Sequence, residues 1–388
     1  MLPEPRRDFN RRFTPEKYTA FLSLLDERCG AHVKFRVCET PCFFPGSLIA
    51  SMREAGAELI RQLVGNEACL AAAREQIPDG FLTPNESRRP MFIQVDFGLI
   101  LNPAGTVEPK LVEIQAFPSL YAYQPVLEDT YREAYGLTVP MQRDYGALFQ
   151  RAILGDRAPE NVVLLEIDPG NQKTLPDFLL TARATGIRIA DIRNVRKRGN
   201  KLYLDNIPID RVYNRAIADE LVRLNTQADF RFDDDLEVEW AGHPNWFFLI
   251  SKFSLPYLNH PTVPESWFLD KVDPLPADLE NYVLKPLYSF AGLGVKVGPA
   301  REDIDAIPAA ERSRYLLQRR MRFEALIETP FGPTQAEVRV MYIWLDELTP
   351  VSLIVRMGRG KMMGVDHNRN MAWVGASAAF TPDASLNS

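Results

Sequence analysis

Asp96 lies in the run Met91 to Leu101 (MFIQVDFGLIL), and Glu113 and Gln115 close the run Lys110 to Gln115 (KLVEIQ). Residues two apart on a strand share a side, so Glu113 and Gln115 face one way, and pairing the two runs brings Asp96 to the same face. Three hard oxygen donors so arranged suit Mg²⁺, which takes one or two carboxylates and completes its shell with water and phosphate. Both acids stand among apolar neighbours. If they point inward, a cation or a basic partner must accompany them; the alternative is that both face solvent.

A second constellation comes late in the chain, in Tyr282 to Pro299 (YVLKPLYSFAGLGVKVGP). One strand delivers Lys285, a loop carrying Ser289, Gly292 and Gly294 turns the chain, and a second strand returns. A lysine beside such a loop suits a polyphosphate: its ammonium neutralises phosphate oxygens, and glycines let backbone N–H groups approach them. The same spacing also fits a plain β-hairpin whose glycines only satisfy the turn.

These groups need elements to hold them. The first ninety residues are expected to be mainly helical, with apolar positions at helical spacing from Pro15 to Arg28 and from Pro45 to Leu63. The two acidic runs form a hairpin about the turn Asn102-Pro103-Ala104-Gly105. From Asn161 the pattern is strand (to Glu166), helix (Gln172 to Ala184), strand (Ile187 to Asp191), then Lys201 to Leu204 and Ile209 to Tyr213, a small α/β layer. The acidic stretch Phe230 to Glu239 reads as a solvated loop. Further strands are expected at Tyr282 to Pro286, Gly294 to Val297, Tyr315 to Met321, Glu337 to Trp344 and Pro350 to Arg356.

Taken together, the acidic hairpin and the later lysine and glycine-rich loop resemble the glutathione synthetase and glutathionylspermidine synthase branch of the ATP-grasp superfamily. In most ATP-grasp enzymes the acidic pair comes last; here it precedes the lysine, as in that circularly permuted branch. The resemblance covers about residues 85 to 380 and implies an α/β (α+β) ATP-grasp fold with an added small α/β domain. It divides the chain into a helical region (1–90), the metal-binding hairpin and helices of the core (91–155), a substrate domain (156–240) and the nucleotide-binding lobes (241–380).

The resemblance also implies roles. Asp96, Glu113 and Gln115 would bind Mg²⁺, and Lys252, on a helix in Asn245 to Leu258 (NWFFLISKFSLPYL), would join Lys285, Ser289, Gly292 and Gly294 around ATP. Gln318 would sit near adenine and Glu337 by the nucleoside. Arg339 would reach the phosphates and Arg356 the acid substrate, either one stabilising an oxyanion. Tyr213 and Arg215 would lie near the acceptor site, and Asn370 to Ser377 would form a closing loop of small residues.

The implied activity is an ATP- and Mg²⁺-dependent carboxylate–amine ligase acting through an acyl phosphate on a small-molecule acid and amine. A non-catalytic or degenerate ATP-binding protein and a small-molecule kinase are the alternatives. Three departures stand out. Gln115 replaces the family's usual asparagine, Phe290 and Leu293 make the loop apolar, and Gln94 replaces an arginine two positions before the aspartate, leaving Arg88 or Arg89 to substitute.

Composition bounds the rest. The 388 residues are 46% hydrophobic and 25% charged, the profile of a folded globular chain large enough for several packed lobes. A net charge of -6 argues against a broad nucleic-acid-binding surface. No stretch is apolar enough for a signal or a membrane span, so a cytoplasmic location is expected. Cys29, Cys38, Cys42 and Cys69 include no CxxC pair and are read as reduced, buried residues. Oligomeric state has no signature in the chain.

Overall fold

In the computed structural model, residues 1–139, 144–287, 294–360, 363 and 370–382 are described. The acidic hairpin forms as expected from strands Phe92–Leu101 and Val107–Gln115. Its second strand begins at Val107 rather than Lys110, because the Asn102 side chain ties the turn: its Oδ1 accepts from the N–H of Ala104 (3.0 Å) and of Thr106 (2.9 Å). Pairing runs Asp96 to Glu113 and then Phe97 to Leu111. Val112 is therefore an extra residue, a β-bulge beside the acidic pair.

This hairpin is one side of a six-stranded sheet. Its order is Cys42–Phe43, Gly375–Phe380, Leu348–Gly358, Gln335–Trp344, Phe92–Leu101, Val107–Gln115. An early ribbon thus lies against a late strand, with Arg339 paired to Asp96 and Glu337 to Arg356 across neighbouring strands. One face is apolar. Ile93, Val95, Phe97, Val338, Val340, Leu353 and Val355 pack there with Met52, Leu59 and Leu63 of the helix Gly46–Val64. Period-two alternation sends the polar residues of the same strands, Gln94, Asp96, Glu337, Arg339 and Arg356, to the other face.

A second sheet, antiparallel, orders Ser266–Phe268, Tyr315–Arg319, Tyr282–Pro286 and Lys296–Val297. Its outer side packs Leu284, Leu317 and Tyr282 with Ile304 and Ile307. Lys285 and Leu316 are directly paired, so Lys285, Leu316 and Gln318 share the opposite side, and Leu316 packs into the core of the six-stranded sheet. The segment after Arg319 crosses the hairpin at Gly98, where Glu324 N–H donates to Leu99 O (2.9 Å). Phe323 leaves no room for a side chain there, since a Cβ on Gly98 would lie 2.1 Å from its ring.

The region 156–240 holds a four-stranded parallel sheet, Glu239–Trp240, Arg211–Asn214, Val162–Glu166 and Arg188–Asp191, plus a three-stranded meander. Helix Leu175–Thr185 makes the crossover between the last two parallel strands. Its Asp177, fully buried, accepts from the N–H groups of Leu120 (3.0 Å), Ala122 (2.9 Å) and Tyr123 (3.0 Å), anchoring the chain that leaves Gln115.

One expectation is refined and two are corrected. The N-terminal region is helical, including Pro15–Cys29, but Cys42–Phe43 joins the large sheet parallel to Ala379 and Phe380. The lysine-bearing helix of Asn245 to Leu258 is two short turns, Trp246–Leu249 and a 3₁₀ turn Lys252–Tyr257. Ser251 and Ser254 capture backbone groups between them, and Pro256 has no N–H to continue a helix. Gly375 to Ser377 belong to a strand paired with Leu348–Gly358, not to a closing loop. All four cysteines are free and buried. No helix among the described residues is long and apolar enough to cross a membrane.

Replacing Gly98 by valine is expected to push Phe323 and its segment off the hairpin and to lower stability by about 1–3 kcal/mol, the usual cost of overpacking. Urea denaturation of the variant measures it; an unchanged midpoint would mean that the crossing does not bear on the core.

Candidate functional site

The polar face of the large sheet centres on Asp96, which is 1% exposed. Arg339 grips it from the neighbouring strand with two parallel bonds, Nε to Oδ1 (2.6 Å) and Nη2 to Oδ2 (2.7 Å). Arg356, one strand further, adds Nη2 to Oδ2 (2.6 Å) and lies 2.8 Å from Oε1 of Glu337 through Nη1. Burial presses the Asp96 carboxyl towards neutrality, but Arg339 and then Arg356 outweigh it and hold the pKa below the usual aspartate value. Removing one partner of such a pair leaves an uncompensated buried charge, at about 3–5 kcal/mol.

Arg339 has further partners. Nη1 donates to Gln94 Oε1 (2.8 Å), whose orientation is set because Gln94 Nε2 donates to Ser119 O (2.7 Å). Gln115 and Arg339 are both satisfied when the Gln115 amide oxygen faces the guanidinium, 2.8 Å from Nη2 and 3.1 Å from Nη1. Glu113 is 3.7 Å from Nη2. A guanidinium thus stands beside Gln94, brought by Arg339 from the adjacent strand. Arg88 and Arg89 are exposed, and Arg89 binds the backbone carbonyls of Leu345 and Asp346 instead.

Two lysines approach from outside the large sheet. Lys285 Nζ donates to Val112 O (3.2 Å), the carbonyl of the bulge, so the small sheet reaches the hairpin through this side chain. Burial lowers Lys285 from the ordinary 10.5 to about 8, with Glu113 opposing the shift, Lys252 reinforcing it and Glu337 opposing it. Lys252 is also lowered, by burial first, against the pull of Glu113 and Asp219. Glu337 is raised to about 7, mainly by burial, with Arg356 opposing and Asp96 and Glu113 adding to the rise. With all groups ionised, two arginines and two lysines face four carboxylates, those of Asp96, Glu113, Glu337 and Asp219, so the charges of this group balance.

The structure thus brings together Asp96, Glu113, Gln115, Lys252, Lys285, Glu337, Arg339 and Arg356. Gln318 is buried on the same side of the small sheet as Lys285 and donates to Ser266 Oγ (2.9 Å). Gly294 occupies a turn with φ +76°, while Ser289 and Gly292 lie outside the described residues.

Several of the expected site residues stand in other contacts. Tyr213 is wholly buried, its ring 5.5 Å from that of Phe92, and Arg215 is buried against Asp177 (2.9 Å) and the rings of Phe117 and Phe178. In this arrangement both fasten the parallel sheet to the chain that leaves the hairpin. Glu337 pairs with Arg356, and Arg339 spends its donors on the hairpin.

The hairpin also fails the test for a magnesium cage. Asp96 has both oxygens on guanidinium groups and Gln115 turns its carbonyl to Arg339, so Glu113 alone of the three donors retains a carboxylate that Arg339 does not hydrogen-bond. No cluster of three His, Cys, Asp or Glu residues suited to a metal occurs among the described residues. Gln94, the Val112 carbonyl and Asp219 went unassigned in the sequence. Only Gln94 had a signal there, lying two residues before Asp96 and so on its face.

No family model and no curated protein matches the chain. Among solved structures it is similar to a glutathione synthetase-like effector from Globodera pallida in its apo form, with a TM-score of 0.65 and 14% identity over 94% of this chain and 96% of that one. The chain has a glutathione synthetase-like fold. At that identity the likeness concerns the backbone, and the side chains above stand on their own geometry.

A lysine with a lowered pKa is protonated in the unfolded chain but neutral in the folded one between about 8 and the ordinary 10.5. The unfolded state then binds more protons, so stability should rise with pH across that window. Compared with Lys285→Met by urea denaturation, the wild type should gain relative stability as pH climbs through it. A difference that stays flat would remove Lys285 from this electrostatic account.

Proposed function

We propose that the protein is an ATP-dependent, ADP-forming carboxylate–amine ligase of the glutathione synthetase and glutathionylspermidine synthase type, with the permuted ATP-grasp order of that branch. The observation that carries this reading is the meeting of Lys285, from the small sheet, with Glu113 and the bulge of the early hairpin, beside Lys252 and Arg356. A triphosphate needs such cations more than it needs a general base, because phosphoryl transfer depends on position and on countering charge over the equatorial oxygens.

In this reading Lys252 and Lys285 neutralise phosphate oxygens, and Gln318 lies towards the base. The γ-phosphoryl passes to a substrate carboxylate, giving an acyl phosphate and ADP. An amine then attacks the acyl carbon, a proton leaves the nitrogen and phosphate departs, forming the amide. Arg356 faces the developing oxyanion and Glu337 holds Arg356 in place. Mg²⁺ would supply Lewis acidity at the phosphates; with Asp96 and Gln115 engaged by Arg339, no step is assigned to it here.

A second reading, an ATP-binding protein without turnover, is favoured by one observation: both Asp96 oxygens are taken by arginines. ADP release with ATP, Mg²⁺ and pooled small carboxylates and amines separates the two. The ligase reading expects ADP release requiring both pools, reduced about 10²-fold in Lys285→Ala, as for loss of one preorganised charge. Nucleotide binding without ADP release across the pools would support the second reading, and release unchanged in Lys285→Ala would overturn the site.

A further inference from the structure

The oxygen donors expected to surround a metal converge instead on one side chain. Around Arg339 stand Asp96 Oδ1 (2.6 Å), Asp96 Oδ2 (2.7 Å), Gln94 Oε1 (2.8 Å) and the Gln115 oxygen at 2.8 and 3.1 Å, with Glu113 further out at 3.7 Å. These contacts match the five N–H donors of a guanidinium, which carries no acceptor and stays protonated at every working pH. We propose that Arg339 is the resident cation of this cleft, standing where the hairpin would otherwise hold a divalent ion, and that the cleft takes a nucleotide polyphosphate without a metal at that position.

Three features support the substitution. Arg339 is locked in register opposite Asp96 at the middle of the sheet, so it cannot leave without stranding a buried carboxylate. Gln94 is matched to it: an arginine at 94 could offer no acceptor, whereas the glutamine spends its N–H on Ser119 O and presents its oxygen to Arg339. The charge also balances. Arg339 and Arg356 offset Asp96 and Glu337, so this part of the polar face is already neutral before any divalent cation is added.

The inference takes its ligand, though not its metal arm, from the nucleotide-binding reading above. Isothermal titration of the full chain tests it with MgCl₂ alone, ATP in EDTA and ATP in excess Mg²⁺, on wild type, Glu113→Gln and Arg339→Gln. Wild type should bind ATP within about threefold in the two buffers, and Glu113→Gln should bind it as tightly or more tightly, because a carboxylate near the phosphates has gone. Arg339→Gln should acquire a Mg²⁺ requirement, losing about tenfold or more in EDTA and recovering when Mg²⁺ is restored.

A wild-type affinity that falls about tenfold in EDTA, or a Mg²⁺ heat in wild type that Glu113→Gln abolishes, would overturn the proposal. If ATP gives no heat in either buffer, the nucleotide reading and the polyphosphate half of this inference both fall. The MgCl₂ titration then decides the metal half alone. Should circular dichroism show Arg339→Gln unfolded, the more exposed Glu113→Gln carries the comparison.

Discussion

A carboxylate sits almost without solvent in the middle of the large sheet, and two guanidinium groups keep it ionised. The pairing of Asp96 with Arg339 and Arg356 constrains much of what surrounds it. It requires three neighbouring strands to share one register, and it requires the odd-numbered residues of Phe92–Leu101 to be apolar, since the even ones are committed to the polar face. An uncompensated charge at that depth would cost more than the hydrophobic packing of a single side chain returns. The bulge at Val112 belongs to the same arrangement. Leu111 packs into the core and Glu113 lies opposite Asp96, which strict alternation with one residue between them would not allow.

The bulge also couples the lobes. Its unpaired carbonyl accepts from Lys285, so the small sheet is tied electrostatically as well as through the packing of Leu316. Lys285 has its charge weakened by burial and by Lys252, and Glu113 sustains it.

The likeness to a solved structure concerns the backbone alone. A chain 14% identical to an effector of glutathione synthetase-like fold covers nearly all of it, yet the polar face of its central sheet is organised about an arginine. Gln94 and Arg339 form a complementary pair across two strands, the glutamine accepting what the arginine donates. A fold accommodates many different polar faces because the sheet asks only for alternation and register, while side-chain identity is a property of the site.

Read by itself, the sequence determined the hairpin, the helices Pro15–Cys29 and Gly46–Val64, the strand that carries Lys285 and the need of an inward-facing Asp96 and Glu113 for a cation or a basic partner. Each of these follows from local periodicity, turn chemistry or the cost of burying charge. The tertiary structure alone decided which base answers which acid. Arg339 is 243 residues from Asp96 along the chain, and nothing in the spacing of either could show that their strands are adjacent. Tyr213 and Arg215 read as site residues only through the resemblance of their segment to a substrate-domain strand pair, and packing reveals that one fills an aromatic core and the other balances Asp177. Local patterns specify which way a side chain points, and partners are set by long-range pairing, which depends on the energy of the whole assembled sheet.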